Sequence, residues 1–128
     1  MANELVLIVE DNEKNRRLAR DVLQASGYRT VDTDTAEDGI RLARERRPAL
    51  ILMDLHLPGI DGIEALGRLR GDPETRPIPV IAVTASVMTE DRQKIVAAGF
   101  DGLQTKPIHL KDFVQAVGDA IARSGRTA

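Results

Sequence analysis

Five short apolar segments alternate along the chain with five longer segments whose apolar residues recur at helical spacing. The apolar segments predict strands at Leu5–Val9, Arg29–Thr33, Leu50–Met53, Val80–Thr84 and Leu103–Thr105. The segments between them predict helices at Glu13–Ser26, Ala36–Arg46, Gly62–Arg70, Glu90–Ala98 and Leu110–Ala122. Strict alternation predicts a doubly wound α/β domain, (βα)5, with a parallel sheet between two helix layers. Right-handed crossovers leave few topologies, and the flavodoxin-like strand order 2-1-3-4-5 is the common one for five strands.

Size and composition fit one globular domain and exclude several classes of site. The chain has 128 residues, predicted as a single domain with its core at about 4–122 and a short polar tail at 123–128. It contains no cysteine, which excludes disulfides, thiol catalysis and cysteine metal sites. A net charge of −2, the lack of a basic run and only 2% aromatic residues give no support for direct nucleic-acid binding. Neither a signal peptide nor a membrane-spanning stretch is evident, so we predict a cytoplasmic protein with no membrane contact.

Carboxylates follow two of the predicted strands at the point where each strand ends. Glu10 and Asp11 come directly after the first strand, and Asp54 comes directly after the third. The predicted strand order makes these strands neighbours and places their carboxyl ends at the switch point of the sheet. Carboxylates about 5 Å apart would repel by about 3 kcal/mol per pair at an effective dielectric constant of about 20. Because hard oxygen ligands suit Mg²⁺, the cluster predicts a magnesium site, with Asp54 as a nucleophile able to form an aspartyl phosphate.

The fourth and fifth strands end on residues suited to phosphate. Thr84 places a hydroxyl at a strand end, and the small Ala85 behind it leaves access open. Lys106 carries a compact cation on a long arm, and Pro107 after it favours a constrained turn. These residues are therefore candidates for binding the phosphoryl group.

Taken together and in this order, the motifs resemble the receiver domain of two-component response regulators. The resemblance spans about 4–122 and rests on four runs: Val-Glu-Asp-Asn at 9–12, Leu-Met-Asp-Leu-His-Leu-Pro at 52–58 with Gly62 following, Val-Thr-Ala at 83–85, and Lys-Pro-Ile at 106–108. Each run alone is weak, whereas the set in sequence is specific. The resemblance implies a phosphoacceptor switch that catalyses its own phosphorylation and dephosphorylation, with no separate enzyme activity.

The resemblance also assigns roles to single residues. Asp54 would accept the phosphoryl group from a histidine kinase or a histidine phosphotransfer protein. Glu10 and Asp11 would hold Mg²⁺, with help from the backbone carbonyl of His56. Thr84 and Lys106 would sense the phosphoryl group. The residues two positions after Asp54 and Thr84, His56 and Ser86, are predicted to tune dephosphorylation.

One position departs from the family pattern. Receivers usually carry Tyr or Phe three residues before the lysine, as a rotameric partner of the threonine, and this chain has Leu103. We therefore expect signalling to depend more on the loop after Thr84 and on the fourth helix.

No output domain is evident after Ala122 in this sequence, so we expect the output to be binding of a downstream protein through the fourth helix, fifth strand and fifth helix. This pattern fits a stand-alone receiver or phosphorelay intermediate, and it equally fits a receiver domain excised from a hybrid kinase or a larger regulator.

Three alternatives remain at this stage. A phosphatase of the haloacid dehalogenase type would need a second Asp where His56 stands. A flavodoxin-like ligand module would need a glycine-rich loop after the first strand. A degenerate receiver would bind partners without phosphorylation; Leu103 favours that alternative, whereas Asp54, Thr84 and Lys106 speak against it.

Overall fold

The computed structural model describes residues 4–55, 57, 59–84, 89–105 and 110–123. The strands are β1 Leu5–Val9, β2 Arg29–Thr33, β3 Leu50–Asp54, β4 Val80–Thr84 and β5 Gly102–Thr105. The helices are α1 Glu13–Ala25, α2 Ala36–Arg46, α3 Gly62–Arg70, α4 Thr89–Ala98 and α5 Leu110–Arg123. All strand pairs are parallel and the sheet order is β2-β1-β3-β4-β5, which confirms the predicted topology.

The central strands are apolar except for Asp54 and Thr84 at the ends of β3 and β4, because these strands are covered on both faces. Every residue of β1, β3 and β4 is buried, whereas the edge strand β2 is only partly buried. On one face, alternate residues of these strands pack with α1 and α5 around Leu23 and Phe113. On the other face, the intervening residues pack with α2 and α3 around Ala43 and Leu66. This two-sided burial explains why the strands appear in the sequence as unbroken apolar runs.

All predicted strand and helix boundaries agree with the structure to within one residue. The first helix was predicted one residue too long, since α1 ends at Ala25 and the chain turns at Gly27, where φ is 97°. The backbone N–H groups of Gly27 and Tyr28 donate to the carbonyls of Gln24 and Leu23, both at 3.0 Å. This pair of bonds is the Schellman arrangement, which needs a left-handed residue that glycine adopts without strain.

The segment 71–77 was predicted as a loop from its composition, and the structure places a series of turns there. These turns are anchored to α2 and α3. The Arg44 guanidinium donates to Asp72 at 2.8 Å, and the hydroxyl of the buried Thr75 donates to the Leu69 carbonyl at 2.7 Å. The pKa of the Asp72 carboxyl is lowered first by the backbone N–H of Glu74 and then by Arg44.

Arg70 joins three segments at the edge of the sheet where β4 begins. Its guanidinium donates to the carbonyls of Arg76 and Ile78, at 2.9 and 2.6 Å, and to the carboxylate of Asp101 at 2.8 Å. The same carboxylate oxygen of Asp101 accepts the backbone N–H of Val80 at 2.8 Å. One side chain at the end of α3 therefore fixes the start of β4 and the segment before β5.

We expect Arg70→Met to lower the free energy of unfolding by about 1.5 kcal/mol, because several hydrogen bonds of a charged, partly buried donor are lost together. The matched control is Arg68→Met on the same helix, whose exposed ion pair with Glu64 predicts a loss of about 0.5 kcal/mol or less. Urea denaturation of both variants measures the difference. Equal losses in the two variants would contradict a special role for Arg70.

Within the described residues, the structure contains no helix with the length and apolar character needed to cross a bilayer.

Candidate metal and phosphoacceptor site

Three carboxylates meet at the carboxyl edge of the sheet, as the sequence predicts. Glu10, Asp11 and Asp54 each place one carboxylate oxygen within 4.8 Å of the others. Glu10 and Asp54 are buried, with 5% and 2% of their surfaces exposed, whereas Asp11 is exposed. The cluster is thus closed towards the core and open towards solvent on the Asp11 side.

Strand register brings these residues together. Val9 in β1 lies opposite Met53 in β3, so the next residues of the two strands, Glu10 and Asp54, reach the edge side by side. The third strand was predicted to end at Met53, but it includes Asp54, which lies opposite Val83 of β4. The backbone N–H of Leu55 then donates to the Val83 carbonyl at 3.1 Å. The aspartate is therefore held by the backbone of a buried strand rather than by a loop.

Backbone contacts also fix Glu10 and the turn after it. The N–H of Glu10 donates to the carbonyl of Thr33 at 3.0 Å, which ties it to the end of β2. Its carboxylate accepts the N–H of Asn12 at 3.1 Å. The side chain of Asn12 accepts the N–H of Asn15 at 3.0 Å and so caps α1. The acidic turn and the start of α1 form one hydrogen-bonded unit.

Arg16 and Asp32 were not singled out from the sequence, yet they adjoin this unit. The guanidinium of Arg16 donates to the backbone carbonyl of Glu10 through Nη1 and to the carboxylate of Asp32 through Nε, each at 3.0 Å. No sequence signal separates Arg16 from Lys14 and Arg17, the other cations at the start of α1, so the sequence could not single it out.

The donor set and the spacing fit Mg²⁺. Three carboxylates supply hard oxygen ligands, and the exposed side leaves room for the waters that Mg²⁺ usually keeps. Oxygens that all lie within 4.8 Å of one another are close enough for one cation to be shared by the three carboxylates.

Two glycines shape the turn that leads from β3 to α3. Gly59 has a φ of 83°, in the left-handed region that favours glycine. A Cβ atom on Gly62 would lie 3.0 Å from the carbonyl oxygen of Asp54 and 2.7 Å from the Cδ2 atom of Leu55. The start of α3 can pack against the backbone of Asp54 only because position 62 has no side chain.

The hydroxyl residue predicted at the end of the fourth strand lies one residue past Val83, the residue opposite Asp54. Thr84 is buried, with 1% of its surface exposed, and lies opposite Thr105 of β5. The other predicted site and modulator residues, His56, Ala85, Ser86, Lys106 and Pro107, lie outside the described residues. Their assigned roles stay predictions.

Leu103, which replaces the expected aromatic residue, lies in β5 opposite Ala82 of β4. It is half-buried and packs against the small cluster formed by Leu55, Ala82 and Ile95. Since Ile95 belongs to α4, this aliphatic cluster links the residue after Asp54 with β5 and α4.

Comparison with known proteins agrees with this geometry. The family model described as the response regulator receiver domain matches residues 6–118. The polar-differentiation response regulator DivK of Brucella anthropi is 46% identical over 119 residues, which cover 90% of this chain and 97% of DivK. The DivK of Brucella ovis is 45% identical over the same share of each chain.

Solved structures of receiver domains and response regulators have the same fold. The receiver domain of the sensor histidine kinase PA1611 from Pseudomonas aeruginosa, which has a magnesium ion coordinated in its active-site cleft, is 30% identical, with a TM-score of 0.87 over 94% of this chain and 99% of that one. The chemotaxis response regulator CheY4 of Vibrio cholerae has the same fold, with a TM-score of 0.87 at 22% identity over 93% of this chain and 99% of its own. The resemblance inferred from the four motifs is confirmed, and the chain belongs to the response-regulator receiver domains, which act as phosphoacceptor switches in two-component signal transduction.

Proposed function

We propose that this receiver domain accepts a phosphoryl group from a phosphohistidine onto Asp54, with Mg²⁺ held by Glu10, Asp11 and Asp54. The observation that carries the proposal is the meeting of three carboxylate oxygens within 4.8 Å at the ends of two adjacent strands. A cluster of like charges at a sheet edge is costly unless a cation compensates it.

The proposed transfer is a displacement at phosphorus. A carboxylate oxygen of Asp54 forms a bond to phosphorus while the bond between phosphorus and the donor imidazole nitrogen breaks. The imidazole keeps the electron pair and takes up a proton. Bound Mg²⁺ would neutralise negative charge on the phosphoryl oxygens during the transfer.

The chain's own residues position the reactants. Burial of Asp54 and its place in β3 hold the carboxylate in one orientation, which lowers the entropic cost of reaching the reactive geometry. The open side at Asp11 is the route by which a donor would approach. We propose that the hydroxyl of Thr84 and the amine of Lys106 bind the oxygens of the phosphoryl group, and that the carbonyl of His56 completes the metal site.

Intact-mass spectrometry after incubation with acetyl phosphate and Mg²⁺ tests the proposal directly. We expect a single phosphoryl adduct that does not form when EDTA removes the metal. An absent adduct together with absent Mg²⁺ binding would contradict the proposal. That result would favour a degenerate receiver that binds partners without phosphorylation.

A receiver domain implies a histidine-kinase partner. For the downstream target we propose the face formed by α4, β5 and α5. Val96 on α4 has 71% of its surface exposed, the highest exposure among the large apolar residues that the structure describes. The cluster of Leu55, Ile95 and Leu103 supplies a packed connection from the residue after Asp54 to this helix.

Amide hydrogen exchange of the phosphorylated and unphosphorylated protein would test this face. We expect exchange rates to change in α4 and β5, because Leu103 and Ile95 share one cluster with Leu55. Exchange in α2, which packs on the opposite part of the sheet against β1 and β2, is the internal control. Changes confined to α2, or none anywhere, would contradict the proposed face.

A further inference from the structure

We infer that Arg16 is a positioning residue for the metal site: its guanidinium fixes the backbone of Glu10 against Asp32 and so sets the affinity for Mg²⁺. The inference rests on the proposed function, because it takes Glu10 as a ligand. Arg16 touches the backbone of Glu10 rather than the proposed ligand oxygens, so its effect on the ion would be indirect.

The contacts of Arg16 connect three separate parts of the chain. The side chain starts from the first turn of α1, donates to the carbonyl of Glu10 in the β1–α1 turn, and donates to Asp32 in β2, each contact being 3.0 Å long. The arginine and aspartate side chains are only 21% and 25% exposed. Among the ion pairs of the described residues, this pair has the lowest combined exposure of its two partners.

The positive charge of Arg16 near the start of α1 argues against a role limited to stabilising that helix. A cation in the first turn of a helix opposes the helix dipole, so Arg16 does not stabilise α1 as an isolated helix. Its stabilising contacts are to Glu10 and Asp32, which are outside α1. The fork of the guanidinium can bind two acceptors at once in fixed directions, which the point charge of a lysine does less well.

The pair also keeps the local charge balanced. Asp32 lies opposite Ile8 in β1, two residues before Glu10, so without Arg16 the negative charge of Asp32 would be left uncompensated near this edge of the sheet. Removing Arg16 alone would therefore change both the geometry and the charge near the metal site. The double variant Arg16→Met/Asp32→Asn removes one positive and one negative charge, so it tests geometry at constant net charge.

Isothermal titration of the full chain with MgCl₂ alone is the proposed experiment. We expect the double variant to bind Mg²⁺ about tenfold more weakly than wild type, at the low end of the effect of residues that orient metal ligands. The control Arg68→Met/Glu64→Gln removes an exposed pair on α3 at the same net charge and is expected to leave the affinity unchanged. Thermal denaturation without metal shows that each titrated variant is folded.

Arg16→Lys is a second variant that tests the inference if the double variant does not fold. Lysine preserves the charge but not the fork, so weaker Mg²⁺ binding than wild type is expected if geometry matters. Wild-type affinity in Arg16→Lys and in any folded double variant would overturn the inference and leave the proposed function intact. If the wild-type chain itself binds no Mg²⁺, both the inference and the proposed metal site are wrong.

Discussion

Asp54→Asn is expected to abolish the phosphoryl adduct formed with acetyl phosphate and Mg²⁺. An amide oxygen is a far poorer nucleophile than a carboxylate oxygen, and the substitution also removes one negative charge from the metal site. Asparagine has nearly the same shape as aspartate, so the buried end of β3 can keep its backbone pairing with β4. Intact-mass spectrometry of the variant, side by side with wild type, measures the loss.

Asp34→Asn is the matched control for this prediction. Asp34 is exposed and follows β2 at the same edge of the sheet, but it does not belong to the acidic cluster. The control is expected to form the adduct as wild type does. An undiminished adduct in Asp54→Asn would place the phosphoryl group on another residue, and peptide mapping would then identify it.

Asp54→Asn is also expected to weaken metal binding. Asp54→Asn leaves Glu10 and Asp11 as the carboxylate ligands, so Mg²⁺ affinity is expected to fall without vanishing. Titration with MgCl₂ therefore separates the two roles of Asp54. A variant with wild-type Mg²⁺ affinity and no adduct would show that Asp54 is the acceptor but not a ligand.

The site residues that could be predicted from the sequence are those that lie at the ends of the strands. Buried parallel strands appear as unbroken apolar runs, and polar residues directly after them fall at one edge of the sheet. Glu10, Asp11 and Asp54 could be brought together in this way because the strand order alone makes β1 and β3 neighbours. Membership of the receiver family also sets aside the phosphatase and flavodoxin-like alternatives.

The contacts of Arg16 and Arg70 could not be predicted in the same way. Arg16 reaches Asp32 across 16 positions of the chain, and Arg70 reaches Asp101 across 31. A contact of that kind depends on the angle at which a helix crosses the sheet and on side-chain rotamers, neither of which leaves a periodic signal. The end of β3 could not be predicted either, because pairing with β4 extends the strand to Asp54, one residue beyond its apolar run.

The packing around the glycines of α3 is another feature that could not be predicted from the sequence. The sequence places Gly62 and Gly67 on one helix, and nothing in helix propensity separates them. The structure does separate them: a Cβ atom on Gly62 would lie 2.7 Å from the Cδ2 atom of Leu55 and 3.0 Å from backbone atoms of Asp54 and Leu55, whereas a Cβ atom on Gly67 would meet nothing within 4 Å. Identical substitutions at the two positions are therefore expected to have opposite effects.

Gly62→Ala is expected to lower the free energy of unfolding by about 2 kcal/mol, within the usual cost of about 1–3 kcal/mol for overfilling a packed site. A Cβ atom at position 62 would lie 3.0 Å from the carbonyl oxygen of Asp54 and from the Cα atom of Leu55, and rotation of the Leu55 side chain cannot relieve these backbone contacts. The shift must fall on Asp54 or on the start of α3. Since a shift of the Asp54 carbonyl would reorient the acceptor carboxylate, we expect the rate of phosphorylation by acetyl phosphate to fall as well.

Gly67→Ala is the control on the same helix. Position 67 is exposed and open, so alanine is expected to raise the free energy of unfolding by about 0.5–1 kcal/mol through its higher helix propensity. Urea denaturation gives both values, and intact-mass time courses give the phosphorylation rates. If both variants lost stability equally, the loss would come from replacing a glycine in α3 and not from the close contact with Asp54. A loss restricted to Gly62→Ala, with slower phosphorylation, would instead link the close packing of α3 to the orientation of the acceptor carboxylate.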